Sequence, residues 1–297
     1  PAFRPDTIAA MEWPEVNAWR RMAREKILAA RAAIALPLRQ AMARRLIEHL
    51  RAALKDQPAP ISFYWPIKAE PDLRPLMEEL DSTGVALCLP VATRIGEPLT
   101  FRPWHKGAAM TRGLWNIPVP ATDEAVVPRT LIAPVLGYDG LSYRLGYGGG
   151  FFDRTLAKLD GEARAIGVGY TMFHLKTIQP QPHDIRMSSI VTQTGILLRD
   201  QVGVASEVCY MSEAEAAYAG FHTPTEIAAA LDGLRGSLPP ERVGLLDYAL
   251  WRLDVPADRF VAPAGVTPTE TLARLLPRIR DDAVHAAVAA LAASLAI

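Results

Sequence analysis

The chain has 297 residues, is 50% hydrophobic, and balances 32 Lys+Arg against 32 Asp+Glu, for a net charge of zero. That length and apolar content can bury a sizeable core in one large domain, or in one domain with an appendage. The charge balance excludes a whole-chain attraction to nucleic acid, no 18-residue apolar run is present to span a membrane, and Pro1-Ala-Phe-Arg-Pro-Asp6 lacks the apolar core of a secretory signal. The two cysteines, Cys88 in the apolar run Val85–Leu89 and Cys209, fit neither a disulfide framework nor a zinc site, so a reducing cytoplasm is the expected location.

In chain order, residues 17–54 carry helical spacing, with Leu28, Leu36, Leu46 and Leu50 recurring among charged residues and Pro37 marking a break between two helices. Arg20, Arg24 and Arg31 are spaced four and seven apart and share one face, which spacing alone reads as solvated. A short strand over Ile61–Trp65, a helix over Pro71–Leu80, strands over Val85–Val91 and Leu99–Trp104, and a buried strand over Leu131–Leu136 follow. Phe151–Leu159 suits a helix, and Arg164–Tyr170 and Ser189–Thr192 are two further strands. Short apolar strands alternating with helices predict a three-layer, Rossmann-like α/β sandwich with a mainly parallel sheet over residues 1–198.

The texture changes after about Leu198. Residues 206–297 are Ala-rich and predict a small all-helical C-terminal domain, joined near Leu198–Ser212. Thr223-Pro-Thr-Glu226 and Thr267-Pro-Thr-Glu270 are helix-start patterns, and Pro239, Pro256 and Pro263 separate the helices. Self-association or cover for a cleft are the roles open to it. Its pair Asp282 and His285, at i and i+3, has no second such pair to make a metal-binding bundle and reads as helix surface.

Gly146, Gly148, Gly149 and Gly150 lie within five residues, after a strand and before a helix. Without a Cβ, such a loop brings backbone N–H groups close to a phosphate, and the following helix adds its positive end. Arg144 and Arg154 flank it, and Asp153 is a candidate Mg²⁺ ligand. The spacing is neither that of a P-loop nor that of a dinucleotide fingerprint, and a tight turn into a helix is the alternative reading.

The run Arg144-Leu-Gly-Tyr-Gly-Gly-Gly-Phe-Phe-Asp-Arg154 closely resembles the signature of the 5-formyltetrahydrofolate cyclo-ligase family. Arg24 and Arg31, Tyr64-Trp-Pro-Ile-Lys-Ala-Glu70, Leu87-Cys-Leu-Pro90, Gly167–Tyr170, Pro182-His-Asp184 and Val191-Thr192 match in the family's order, over about residues 17–198. The resemblance implies an ATP-dependent enzyme that converts 5-formyltetrahydrofolate to 5,10-methenyltetrahydrofolate with release of ADP and phosphate. The formyl oxygen would take the γ-phosphoryl group, and N10 would then displace phosphate. By position it implies that Arg20, Arg24, Arg144, Leu145, Gly146, Tyr147, Gly148, Gly149, Gly150, Phe151 and Phe152 hold ATP, with Arg24 and Arg144 acting on the transferred group. Trp65 and Glu70 would contact a reduced folate, and Asp153 and Asp184 would hold Mg²⁺.

From the residues alone, Trp65 reads as core, Glu70 as an acid at a helix start, Asp184 as a turn former and His183 as structural. Measured against the family it resembles, the chain departs at Arg20 (where the family has lysine), Val119 (an acid), Phe151 and Phe152 (tyrosine), and Ser188 and Gln193 (acids). These departures leave two rivals open: a paralogue that binds ATP and acts on another metabolite, and a non-catalytic nucleotide- or folate-binding module.

Overall fold

A computed structural model of the protein describes residues 11–199, 224–254, 272, 276, 279 and 282–295. Two long helices open it, α1 (Trp13–Ala33) and α2 (Leu36–Leu54). Pro37 does not separate them. It sits in the first turn of α2, where its missing N–H is harmless, and the break falls at the extended residues Ile34 and Ala35.

The main sheet has seven strands: β1 (Ile61–Ser62), β2 (Leu87–Val91), β3 (Thr100–Trp104), β6 (Thr130–Pro134), β9 (Arg164–Val168), β11 (Ser189–Thr192) and β12 (Gly195–Leu198). Their order is β12-β11-β9-β6-β1-β2-β3. The pairs β11–β9, β9–β6, β6–β1 and β1–β2 are parallel, and only the edges β3 and β12 pair antiparallel. The sheet is thus mainly parallel, as the sequence predicts. Its buried strands read as apolar runs because helices cover both faces. Ile132 and Ile166 face α2 and α3 (Arg74–Ser82), with Leu46, Leu50, Leu76 and Met77 beyond. Leu131, Ala133 and Ala165 face α4 (Phe151–Leu159) through Leu156. Cys88 lies in that second layer, and burial pushes its thiol up to about 12, which keeps it inert.

Several predicted elements are shorter than their sequence patterns, among them Val85–Val91, a strand only over Leu87–Val91, and Arg164–Tyr170, a strand only over Arg164–Val168. The strand expected over Ile61–Trp65 ends at Ser62; Phe63 donates one more bond to Cys88 (3.1 Å), and then the chain turns out of the sheet ahead of Pro66. The helix expected from Pro71 starts at Arg74, because the Asp72 carboxylate takes the Arg74 N–H (3.1 Å) and Pro75 fills the first turn. Two small sheets complete the fold: the hairpin β4 (Met110–Arg112) with β5 (Pro118–Pro120), and β7 (Gly137–Asp139) between β8 (Arg144–Leu145) and β10 (His174–Leu175).

The described part of the C-terminal region is helical over Pro224–Asp232, Val243–Leu253 and Asp282–Leu295. The first helix begins at the Pro of Thr223-Pro-Thr-Glu226, and Pro239 separates the first two. The second Thr-Pro-Thr-Glu pattern, Pro256, Pro263, Cys209 and most of the predicted junction at 198–212 lie outside the described residues. These helices share one buried cluster with the α1 face formed by Ala23, Ile27 and Ala30, through Leu245, Leu246 and Ala249. Arg242 donates to the Ala33 carbonyl (2.6 Å) at the end of α1, and the Tyr248 hydroxyl donates to the Met172 carbonyl. Among the described residues, no helix is long and apolar enough to cross a membrane.

The tightest approach in this cluster is at Gly244. A Cβ there would stand 2.7 Å from the Ala29 carbonyl oxygen and 2.9 Å from its carbon. Gly244→Ala should gain roughly 0.5–1 kcal/mol of helix propensity, against about 1–3 kcal/mol of overpacking on an unyielding backbone. The clash should win, and thermal unfolding of this variant is expected at a lower temperature than that of the parent; an unchanged or raised Tm would refute the close packing.

Candidate functional site

The chain runs from β1 to β2 and β3 on one side, then returns to β6 on the other, so the strand order reverses between β1 and β6. The crevice outside the carboxyl ends of strands at such a switch point is where open α/β sheets place ligands. Here it is a cleft of about 1030 Å³, walled by Tyr64 and Trp65 after β1, Pro90 in β2 and Pro134 at the end of β6. Arg20, Arg24, Trp65, Glu70, the whole run 144–153 and Asp184 line it, whereas Arg31 and Arg154 do not.

The glycine loop is built for close backbone approach. Gly148 and Gly150 take φ of +94° and +63°, conformations that strain residues with a Cβ, and Gly150 precedes α4 directly. Guanidinium groups surround the loop. Arg24 donates through Nε to the Gly146 carbonyl (2.8 Å), and its guanidinium carbon lies 3.2 Å from where a Cβ on Gly148 would stand. Burial, together with the neighbouring Arg20, holds the Arg24 guanidinium below its ordinary value, against an opposing pull from Asp184. An arginine destabilised in this way gains most from an arriving anion.

The solvated face expected for Arg20, Arg24 and Arg31 is overturned. Arg20 is only 5% and Arg31 only 1% exposed. Spacing shows that three side chains share a face; it does not show that a loop far along the chain covers that face. Arg20 pairs with Asp184 through both of its amino groups and donates to the carbonyls of Ile178 (3.0 Å) and Gln179 (2.9 Å). Arg144 pairs with Asp153 at 2.7 Å. Arg31 donates to the Tyr147 hydroxyl, which in turn donates to Glu70 at 2.7 Å, and the second oxygen of Glu70 accepts the Ile67 N–H at 2.8 Å. Burial pushes Glu70 above the usual carboxylate range, against the lowering pull of these donors and of Lys68.

Glu70 is therefore more than an acid at a helix start: it is buried against the glycine loop. Trp65 is half-buried on the cleft wall, with the Arg74 guanidinium 5.5 Å over its ring, rather than closed in the core. Asp184 accepts from Gln181 (2.6 Å) as a turn former would, and binds Arg20 as well. His183 is exposed, lines the cleft and packs its ring against Trp13. Sequence reasoning missed Trp115 on the cleft wall. At the tip of the β4–β5 hairpin, Trp115 and Asn116 take positive φ, and Trp115 stands 58% exposed with its ring edge on Phe151, 5.4 Å away. The signal available for it was a tryptophan in a short turn between two strands. Lys68 and Tyr64, also on the wall, fall within the matched segment Tyr64–Glu70, where only Trp65 and Glu70 were given a role.

Asp153 and Asp184 supply the hard oxygens that Mg²⁺ prefers, and the Ile185 N–H on Asp153 (3.3 Å) brings them near each other. Among the described residues no group of three or more His, Cys, Asp and Glu could hold a metal, so any ion here would depend on ligand oxygens and water for its remaining coordination. The departures at Phe151 and Phe152 keep the rings and use them: Arg144 lies 5.2 Å over Phe152, and Arg154 lies 5.3 Å over Phe151. Val119 is buried against Gly113, and Gln193 accepts the Thr171 N–H (3.0 Å).

Residues 16–193 match the sequence model of the family described as "5-formyltetrahydrofolate cyclo-ligase family". A 5-formyltetrahydrofolate cyclo-ligase from Mycolicibacterium smegmatis is 30% identical over 149 residues, 48% of this chain and 77% of that protein. Its Escherichia coli K12 namesake is 27% identical over 143 residues, 46% of this chain and 79% of that protein. The NMR structure of Aquifex aeolicus 5,10-methenyltetrahydrofolate synthetase superimposes with a TM-score of 0.52 at 26% identity, covering 61% of this chain and 92% of that one.

Because Asp184 is buried with Arg20, removing either partner leaves an uncompensated charge. Arg20→Ala should destabilise the fold by about 3–5 kcal/mol in chemical denaturation. A loss under about 1 kcal/mol, the scale of an exposed pair, would show that the pair is solvated.

Proposed function

We propose that this chain, which belongs to the 5-formyltetrahydrofolate cyclo-ligase family, converts 5-formyltetrahydrofolate to 5,10-methenyltetrahydrofolate at the expense of ATP, releasing ADP and phosphate. The observation that carries the reading is one cleft lined both by the glycine loop with Arg24 and Arg144 and by Trp65 and Glu70. A nucleotide and a folate have to meet, and the cleft offers each its own chemistry.

The reaction asks for alignment and charge neutralisation more than for a protein nucleophile. In this reading the loop amides of residues 146–150 and the N-terminal end of α4 take the phosphates. Arg24 and Arg144 stabilise the charge that develops on the transferred phosphoryl group, and Arg20 adds a second positive charge beside Arg24 for the nucleotide. Leu145, Phe151 and Phe152 shape the loop's apolar side. Trp65 offers an aromatic face to the pteridine, and Glu70 accepts its N–H groups. The formyl oxygen takes the γ-phosphoryl group, N10 closes on the activated carbon, and phosphate departs. Asp153 and Asp184 would hold Mg²⁺, which supplies neutralisation of phosphate charge when bound.

Purified protein given Mg-ATP and 5-formyltetrahydrofolate should develop the near-ultraviolet absorbance of the methenyl product, with ADP and phosphate formed in equal amounts. Folded protein that binds ATP without producing that absorbance would overturn the reading and favour action on another metabolite. Arg24→Ala should lower kcat/KM for ATP by roughly 100-fold, the scale for removing one preorganised donor from developing charge.

A further inference from the structure

We infer that Tyr147, a residue of the glycine loop, is the positioning residue for Glu70, so that its side chain serves the folate half of the cleft while the loop backbone serves the nucleotide half. This rests on the reading of Glu70 as a folate contact. The geometry is a three-membered chain. Arg31 on α1 donates to the Tyr147 hydroxyl, and that hydroxyl donates to Glu70 Oε1 at 2.7 Å. The Ile67 N–H holds Oε2 at 2.8 Å, so both oxygens are pinned and the plane of the carboxylate is fixed. Each carboxylate oxygen can accept a further hydrogen bond, which leaves Glu70 able to receive the paired N–H groups of a pteridine edge.

The phenol ring is itself held between two cations, Arg31 at 5.6 Å and Lys68 at 5.3 Å from its centroid. The backbone of residue 147 could belong to the loop with any side chain. A phenol that spans from the loop to Glu70 is needed only if the carboxylate must be aimed.

Glu70 is 7% exposed, and the groups facing it come from several elements. Arg31 faces it from α1, Lys68 from its own segment, Tyr147 from the glycine loop, Tyr64 from beyond β1 and Tyr170 from beyond β9. On its other side, a second cavity of about 520 Å³ places Arg39, Arg44, Asp72 and Arg74 around it. Burial raises the Glu70 carboxyl, and Ile67, Arg31, Tyr147 and Lys68 pull it back down. Deleting the Tyr147 hydroxyl removes one lowering influence, so Glu70 must hold its proton to a higher pH.

Tyr147→Phe tests this, since it keeps the ring between its two cations and deletes only the hydroxyl. In apo protein labelled with ¹³C at the glutamate carboxyls, with the Glu70 signal assigned by its loss in Glu70→Gln, the Glu70 midpoint should rise by about one unit in Tyr147→Phe. In steady-state assays, KM for 5-formyltetrahydrofolate should rise about tenfold while KM for ATP stays within about twofold. In a Glu70→Gln background, Tyr147→Phe should add little, as coupled groups do. An unmoved midpoint, or a loss expressed in KM for ATP, would overturn the inference. The titration needs no turnover: an inactive parent with a shifted Glu70 would sink the cyclo-ligase reading and leave the Tyr147–Glu70 linkage standing.

Discussion

Burying cations is the constraint on which the site depends. Arg20 and Arg144 in the cleft wall, and Arg31 bonded to the loop's Tyr147, all stand at 6% exposure or less. Taking a guanidinium out of water costs several kcal/mol unless acceptors replace the lost solvation. Each arginine therefore fixes something distant in the chain. Arg20 holds the 178–184 segment through two carbonyls and Asp184, Arg31 holds the glycine loop and Glu70 through Tyr147, and Arg144 holds Asp153 at the start of α4. Among the described residues Arg24 forms no ion pair and donates only to the Gly146 carbonyl. The three paired arginines make the frame, and the fourth is left for an arriving anion.

That frame requires a rigid α1. The helix is two-sided, with Arg20 and Arg24 in the cleft and its Ala23, Ile27 and Ala30 side packed on the C-terminal helices. Gly244 lets the backbones meet closely, and Arg242 takes a carbonyl at the last turn of α1. The C-terminal helices thus bear on α1 from behind, and among the described residues none of theirs lines the cleft.

The departures from the family pattern look different once placed. Phe151 and Phe152 lose hydroxyls but retain the rings on which Arg154 and Arg144 rest, and Phe151 also receives the edge of Trp115. Gln193 keeps an acceptor that holds the Thr171 N–H. At these three positions the side chain has a structural partner that does not require the atoms that changed.

The sequence by itself determined the elements whose cause is local. The α4 bounds at Phe151 and Leu159 and the β11 bounds at Ser189 and Thr192 follow from glycine, apolar run and polar flank, and the structure repeats them. The mainly parallel sheet followed from strand–helix alternation, and the residues of the site were legible because a loop motif and its ordered neighbours mark them. Only the tertiary structure decided what covers each residue. The spacing of Arg20, Arg24 and Arg31 is the same whether their shared face meets water or Asp184 and Tyr147, which lie more than a hundred residues away. The Tyr147–Glu70 bond and the Trp115 contact are also non-local: they join segments far apart in the chain that the fold gathers around one crevice. Local periodicity carries no information about such contacts, since burial and charge pairing are properties of the assembled fold.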